Sequence, residues 1–245
     1  MMKRFLILLF AAVALAASCV SGPPFRFVQM TDPQLGFLDT TAAFRQTDSL
    51  FRVAVQQANG IGADLVVITG DLVNDPSDTL QDSLFRAGVA RLEPPVYLLP
   101  GNHDVLGGQS YTRGPEQFSF RHKGCTFIGL NSNAPDKEWL RQQLQAARGS
   151  RFTFVFLHCP VILERADEPE DYFNFPMPLR REFLNLFREY GVSAVFAGHT
   201  HMYDETVWEG IPMYAAPPVG NPLGRGRSGF LVIDVDKDSF TVHLI

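Results

Sequence analysis

Four short segments of this chain hold side chains of the kind that bind metals: Asp32-Pro33-Gln34, Gly70-Asp71-Leu72-Val73-Asn74, Gly101-Asn102-His103-Asp104 and Gly198-His199-Thr200-His201. A separate histidine, His158, falls before the last of them. Carboxylate, amide and imidazole donors in this order suit two divalent ions. Such a pair, ~3.5–4 Å apart, can activate a water for hydrolysis of a phosphate ester at neutral pH.

Residues so far apart in the chain need a scaffold to bring them together, and the hydrophobic pattern supplies one. Phe25 to Met30 is an apolar strand whose end delivers Asp32. Phe44, Thr47, Phe51, Ala54, Val55 and Ala58 recur at helical spacing, which predicts a helix over 41–59. Leu65 to Thr69 lacks alternation, as a strand buried on both faces does, and it delivers Asp71. A helix over 77–92 and a strand from Pro95 to Leu99 lead to Asn102 and His103. The period continues with a strand Thr126 to Leu130, a helix 136–147 and a strand Phe152 to Leu157 before His158. A helix 179–190 and a strand Ser193 to Ala197 precede His199. From Glu205 to Ile245 the pattern shifts to short alternating segments, such as 206–208 and 230–235, which predict antiparallel strands.

Alternating strands and helices predict an α/β fold with parallel sheet, whose ligands bind beyond the carboxyl ends of the strands. A single Asp or His after a strand is most often a turn or cap residue. Seven metal-type residues at five strand ends exceed what turn chemistry produces. His122 and His243 occupy no such place and read as structural or surface groups.

The chain has 245 residues, 46% hydrophobic and 19% charged, enough for one globular domain with a large core. Met1-Met2-Lys3-Arg4 and the apolar run Phe5 to Ala17 form a secretory leader, too short for a spanning helix. Leu15-Ala16-Ala17-Ser18-Cys19 resembles a bacterial lipobox with Ala16 in place of the usual Leu. That predicts a signal over 1–18, a lipid on Cys19 and a tether over 19–24, followed by a domain over 25–245. Cleavage after Ala14-Leu15-Ala16, giving a soluble periplasmic or secreted protein, is the alternative. Both place the protein in a bacterial cell envelope or beyond it, touching membrane only through the anchor. Removal of Lys3 and Arg4 takes the formal charge from −5 to about −7, which argues against nucleic acid as a partner. Cys125 and Cys159 fall at opposite ends of neighbouring parallel strands, too far apart for a disulfide.

On these motifs the chain resembles a calcineurin-like metallophosphoesterase over nearly all of 25–245. The resemblance implies a four-layer α-β-β-α sandwich, two central mixed sheets flanked by helices, with the metals at strand ends. It implies that Asp32, Gln34, Asp71 and His201 hold one ion and Asp71, Asn102, His158 and His199 the other, with Asp71 bridging. Catalysis would fall to His103, as general acid or phosphate contact, with Asn102 and Asp71, and a bridging hydroxide would be the nucleophile. Two ions, Asp32, Asp71 and a hydroxide leave a net charge of about +1, which attracts a phosphorylated substrate.

Two departures from the family pattern stand out. Gln34 replaces the His of the usual Asp-x-His, so a harder oxygen donor favours Mn or Fe, or Mg, over Zn at that site. Asp-Pro-Gln-x-Gly resembles a subgroup with protein Ser/Thr phosphatase activity, and Asp-x-Gln also resembles Mn-dependent ADP-ribose pyrophosphatases. Asn74 stands where many members have an Asp that orients the catalytic His, and Asp104, adjacent in sequence to His103, is not assigned that role.

Two loops overhang this site, one Gly-rich with Tyr111 and Arg113, one between Pro160 and Pro178 with Tyr172, Phe173 and Phe175. Arg113 can clamp phosphate, and Tyr111 or Tyr172 can stack on or contact a substrate ring; equally, these are solvated loop residues. Arg225 and Arg227 present the same pair of readings, and Cys159 reads as a small buried residue. The expected activity is metal-dependent hydrolysis of phosphomonoesters. A phosphodiesterase or nucleotide pyrophosphatase, and an envelope lipoprotein whose metal site has decayed, are the alternatives.

Overall fold

Short apolar strands and amphipathic helices alternate as the pattern predicts, and their buried faces decide how they stack. The computed structural model describes residues 22–110, 114–164 and 167–245. The leader, Cys19, Tyr111 and Arg113 lie outside the described residues. No described helix is long and apolar enough to cross a membrane.

β1 (Phe25–Met30), β2 (Leu65–Thr69) and β3 (Val96–Leu99) run parallel, with β1 beside β2 and β2 beside β3. The C-terminal strands β12 (Leu231–Val235) and β13 (Phe240–Leu244) extend that sheet antiparallel on the other side of β1. The second sheet has six strands. In it β7 (Cys125–Gly129), β8 (Thr153–Phe156), β9 (Ala194–Ala197) and β11 (Ile211–Ala215) are parallel. β6 (Phe118–His122) and β10 (Asp204–Trp208) close its edges antiparallel. A two-stranded ribbon, β4 (Val105–Leu106) and β5 (Gln109–Ser110), stands apart.

The two sheets face each other across an aromatic core. Phe27 is fully buried and lies within 5.1–6.0 Å, ring to ring, of Phe127, Phe154, Phe156 and Phe196. α1 (Arg45–Ile61) and α2 (Thr79–Val89) cover the outer face of the first sheet through Phe51, Val55 and Phe85. α3 (Lys137–Ala146) and α4 (Met177–Tyr190) cover the second through Leu140, Leu144, Phe183 and Phe187. The layers are therefore helix, sheet, sheet, helix, as expected.

Three details differ from the expectation. α1 begins at Arg45 and not at 41, because Phe44 takes a left-handed conformation (φ 49°) and leaves the helix. Asp39 and Thr41 are spent on the helix start: the Asp39 carboxylate accepts from the backbone of Gln46 (2.9 Å) and Thr47 (3.0 Å), and Thr41 Oγ1 from Arg45 (2.8 Å). The tail is not wholly antiparallel, since β11 pairs parallel with β9. β6 and the β4–β5 ribbon lie in a stretch expected to be loop. Cys125 and Cys159 are both free thiols.

Candidate metal centre

Every predicted ligand lies in the turn after a strand, and these turns are built unusually tightly. Asp32, Gln34, Asp71, His199 and His201 all have positive φ, between 33° and 71°. Side chains other than glycine rarely take that region, so the surrounding contacts must hold it. The glycines that precede the ligands remove what would otherwise collide. A Cβ on Gly101 would strike Asp71 Oδ1, and one on Gly198 would strike Thr31 Oγ1.

The first sheet presents oxygen donors only. Asp32 Oδ2 accepts hydrogen bonds from Thr31 Oγ1 (2.6 Å) and the His199 backbone (2.9 Å), while its buried Oδ1 has no hydrogen-bond partner. Gln34 donates from Nε2 to Asn74 Oδ1 (3.3 Å), which turns Oε1 inward, buried and unpartnered. Asp71 follows β2, and its Oδ1 accepts from the His103 backbone (2.9 Å). Asn102, after β3, is exposed; its Oδ1 lies 3.0 Å from His158 Nε2 and its Nδ2 donates to Tyr172 Oη (3.2 Å).

The second sheet presents imidazoles. His158 Nδ1 faces the Thr69 carbonyl (2.8 Å), and His201 Nδ1 faces the Asn221 carbonyl (2.8 Å). A carbonyl only accepts, so Nδ1 of each ring carries a proton and Nε2 is the atom turned toward the carboxylates, His158 Nε2 also meeting Asn102 Oδ1. His199 is the reverse: its Nε2 faces the Tyr172 carbonyl (2.9 Å), which leaves Nδ1. One ligand atom from each of Asp71, His158 and His199 lies within 4.8 Å of the others. His201 Nε2 sits 3.4 Å from Asp32 Oδ1, and His158 Nε2 3.4 Å from Asp71 Oδ1.

The electrostatics of this cluster call for a cation. Burial opposes charge on Asp32, yet His158, His201 and the Thr31 hydroxyl hold its carboxyl down to about 2. Burial likewise opposes charge on His158, but Asp71 and Asp32 raise it to about 10. For His201 the opposing burial is outweighed by Asp32, and for His199 burial and His158 together lower the ring. Two buried oxygens without donors, beside three rings each anchored on a backbone carbonyl through one nitrogen, fit divalent ions: an unpaired buried polar atom costs roughly 1–3 kcal/mol unless something binds it.

Asp104 is not a partner of His103. Its buried carboxylate accepts from the backbones of Gly101 (2.8 Å), Leu72 (2.9 Å) and Val73 (3.3 Å), and so ties the β2 and β3 turns together. Burial and Asp71 push Asp104 up to about 7 against those donors. His103 is half-buried, with Nδ1 on the Asn74 carbonyl at 3.1 Å and Nε2 on the other edge of the ring.

Tyr172, expected as a possible substrate contact, lies beside the cluster, its ring 5.0 Å from that of His199. Sequence reasoning missed the turn after β7, which holds no ligand but supports others. Ser132 Oγ accepts from the backbones of His158 (2.9 Å) and Cys159 (3.1 Å), and Asn133 donates to the Gly101 carbonyl (2.8 Å). The run Asn131-Ser132-Asn133, polar residues directly after an apolar strand, was the available signal.

Residues 25–203 match the family model described as calcineurin-like phosphoesterase. The serine/threonine-protein phosphatase CPPED1 of Bos taurus is 30% identical over 260 residues, covering 89% of this chain and 82% of that protein. Among solved structures, a dimetal phosphatase from Danio rerio superposes with a TM-score of 0.72 at 15% identity, over 91% of this chain and 96% of that one. The yellow lupin purple acid phosphatase PPD1 gives 0.73 at 16% identity over 92% of this chain, which spans about half (52%) of that longer protein. The chain belongs to the calcineurin-like phosphoesterase family and is a metal-dependent phosphoester hydrolase.

Proposed function

We propose that this protein is a phosphomonoesterase acting on phosphorylated Ser or Thr side chains of proteins. Asp32, Gln34, Asp71 and His201 would hold one divalent ion, and Asp71, Asn102, His158 and His199 a second. The single observation that carries the metal-dependent part of this reading is the pair of buried, unpartnered oxygens, Asp32 Oδ1 and Gln34 Oε1, the first of them 3.4 Å from His201 Nε2. When bound, such ions activate water and neutralise phosphate charge.

The chain's own groups do the remaining work. His103, oriented through Nδ1 by the Asn74 carbonyl, passes a proton held at Nε2 to the departing oxygen. Asn102 and Tyr172 stand on the open side of the cluster, joined by a 3.2 Å hydrogen bond, and orient the phosphate oxygens. The name of the Bos taurus relative, a serine/threonine-protein phosphatase, supports the substrate class. Mn or Fe suits the Gln34 side, where every donor but His201 is oxygen.

The leader and Cys19 support export to a bacterial envelope with a lipid anchor. Cys19→Ala should then move the protein from the membrane fraction to the soluble one, and unchanged fractionation removes the anchor. The activity is tested by metal analysis of protein purified without chelator, followed by phosphoserine and phosphothreonine peptides, nucleotides and diesters assayed with Mn, Fe, Mg and Zn. Two ions per chain and fastest turnover of phosphopeptides are expected. Far fewer than two ions would indicate a decayed centre, and preference for diesters or pyrophosphates would replace the monoesterase reading.

A further inference from the structure

His201 is followed directly by two large exposed side chains, Met202 (56% exposed) and Tyr203 (39%). They wall a groove of about 890 Å³ whose other sides are Pro217, the 223–228 loop and the end of the chain at Leu244 and Ile245. The groove adjoins the metal centre through the backbone. The Asn221 carbonyl at the start of that loop holds His201 Nδ1 at 2.8 Å, and a Cβ on Gly226 would lie 3.3 Å from the His201 carbonyl. Leu244 and Ile245 are each about half exposed, so much of the wall is apolar.

Two cations stand in this apolar setting. Arg225 and Arg227 are exposed and make no hydrogen bond or ion pair among the described residues. No Asp or Glu side chain lines the groove, although the chain carries a formal charge of −5. The acidic groups lie on the other side of the Met202-Tyr203 ridge. A second depression there, about 370 Å³, is lined by Glu164, Glu168, Asp171 and Asp204. The Met202-Tyr203 ridge therefore separates an anion-repelling hollow from an anion-attracting one.

We propose that the Arg225–Arg227 groove is a subsite for an acidic peptide segment flanking the phosphorylated residue of the substrate. The guanidinium groups pair with its carboxylates, and Met202 and Tyr203 cover an apolar side chain between them. This rests on the phosphoprotein reading above. Exposed charge pairs are individually weak, and the two together give roughly five- to ten-fold selectivity that fades as salt rises.

The test uses the metal-loaded full chain, the variant Arg225→Ala with Arg227→Ala, and the conservative Arg225→Lys with Arg227→Lys. Substrates are a phosphoserine peptide with Glu on both sides, the same peptide with Ala, and nitrophenyl phosphate. The wild type should favour the acidic peptide by about five- to ten-fold in kcat/KM, mostly through KM. The Ala variant should bring that ratio to one with nitrophenyl phosphate hydrolysis unchanged, and the Lys variant should keep part of it. Equal kcat/KM on both peptides in the wild type, or a ratio that survives the Ala variant, overturns the subsite.

Fluorescence anisotropy with a labelled, unphosphorylated Glu-rich peptide separates the two readings. If nitrophenyl phosphate is turned over and no phosphopeptide is, the phosphoprotein reading falls. The groove then stands only if the wild type binds the Glu-rich peptide and the Ala variant does not. Arginine-dependent binding to vesicles of anionic phospholipid, with no peptide binding, would assign the arginines to a lipid surface and overturn the proposal.

Discussion

Asn74 serves two neighbours at once, and by different atoms. Its side-chain oxygen fixes the Gln34 amide, and its backbone carbonyl fixes His103. Asn74→Ala removes the first function and spares the second. The freed Gln34 amide should lower metal affinity about 10- to 100-fold, the usual cost of losing a group that orients a ligand. Competition with a chelator measures this, and turnover should recover at saturating metal; unchanged affinity would show that Gln34 does not ligate. His103→Ala, by contrast, leaves the ligands in place. It should lower turnover of alkyl phosphates by about 10²–10⁴ and of nitrophenyl phosphate far less, because a general acid matters most when the leaving oxygen is basic. Equal losses on both would restrict His103 to binding phosphate.

Among the elements, α1 shows how a start signal can be displaced. Its first N–H groups are satisfied by Asp39 and Thr41, several residues upstream of the first helical turn. Asp39→Ala should cost about 1 kcal/mol at neutral pH, as loss of an N-terminal cap does. Burial is the largest single influence and raises the Asp39 carboxyl, but the hydrogen bonds from Thr47 and Thr41 together prevail and set it below its ordinary value of 3.8. A lowered carboxyl contributes stability that is present above the unfolded value and disappears as pH falls through the folded one. The gap between variant and wild type in denaturant melts should therefore narrow as pH drops below 3.8. A constant gap would mean that the carboxylate charge is not what caps the helix.

The strands differ in how plainly the sequence announces them. The strands β1, β2, β8 and β9 read clearly because burial on both faces leaves an unbroken apolar run. β6 alternates, with Phe118 and Phe120 toward Tyr97 and the core, but it follows a Gly-rich stretch that read as loop. The direction of β11 was not legible, since alternation is the same for parallel and antiparallel strands. All seven candidate ligands were visible as residue types at strand ends. Their supports were not: Thr69, Asn221 and Tyr172 act on the histidines through backbone carbonyls, which have no residue signature.

At the scale of the whole molecule, the site closes the seam between two sheets that otherwise meet through the phenylalanine core. Ions bound there should act as a clasp. Removing them with a chelator leaves Asp32, Asp71 and Asp104 close together and should lower the melting temperature. An ion present at 100 times its Kd contributes about 2.7 kcal/mol. At roughly 2–4 °C per kcal/mol for a chain of this size, that is about 5–11 °C per ion. Calorimetry with and without chelator checks it; an unchanged melting temperature would show that the ions do not join the sheets.

The division of donors between the sheets bears on which ion is chosen. Either half alone would be a different site: the oxygens of the β1, β2 and β3 turns prefer hard ions such as Mg or Mn, while the imidazoles of the β8 and β9 turns prefer Zn or Cu. Only apposition of the two sheets makes the mixed set. The preference of the finished centre therefore belongs to neither half, and a chain whose sheets have not joined should lose it.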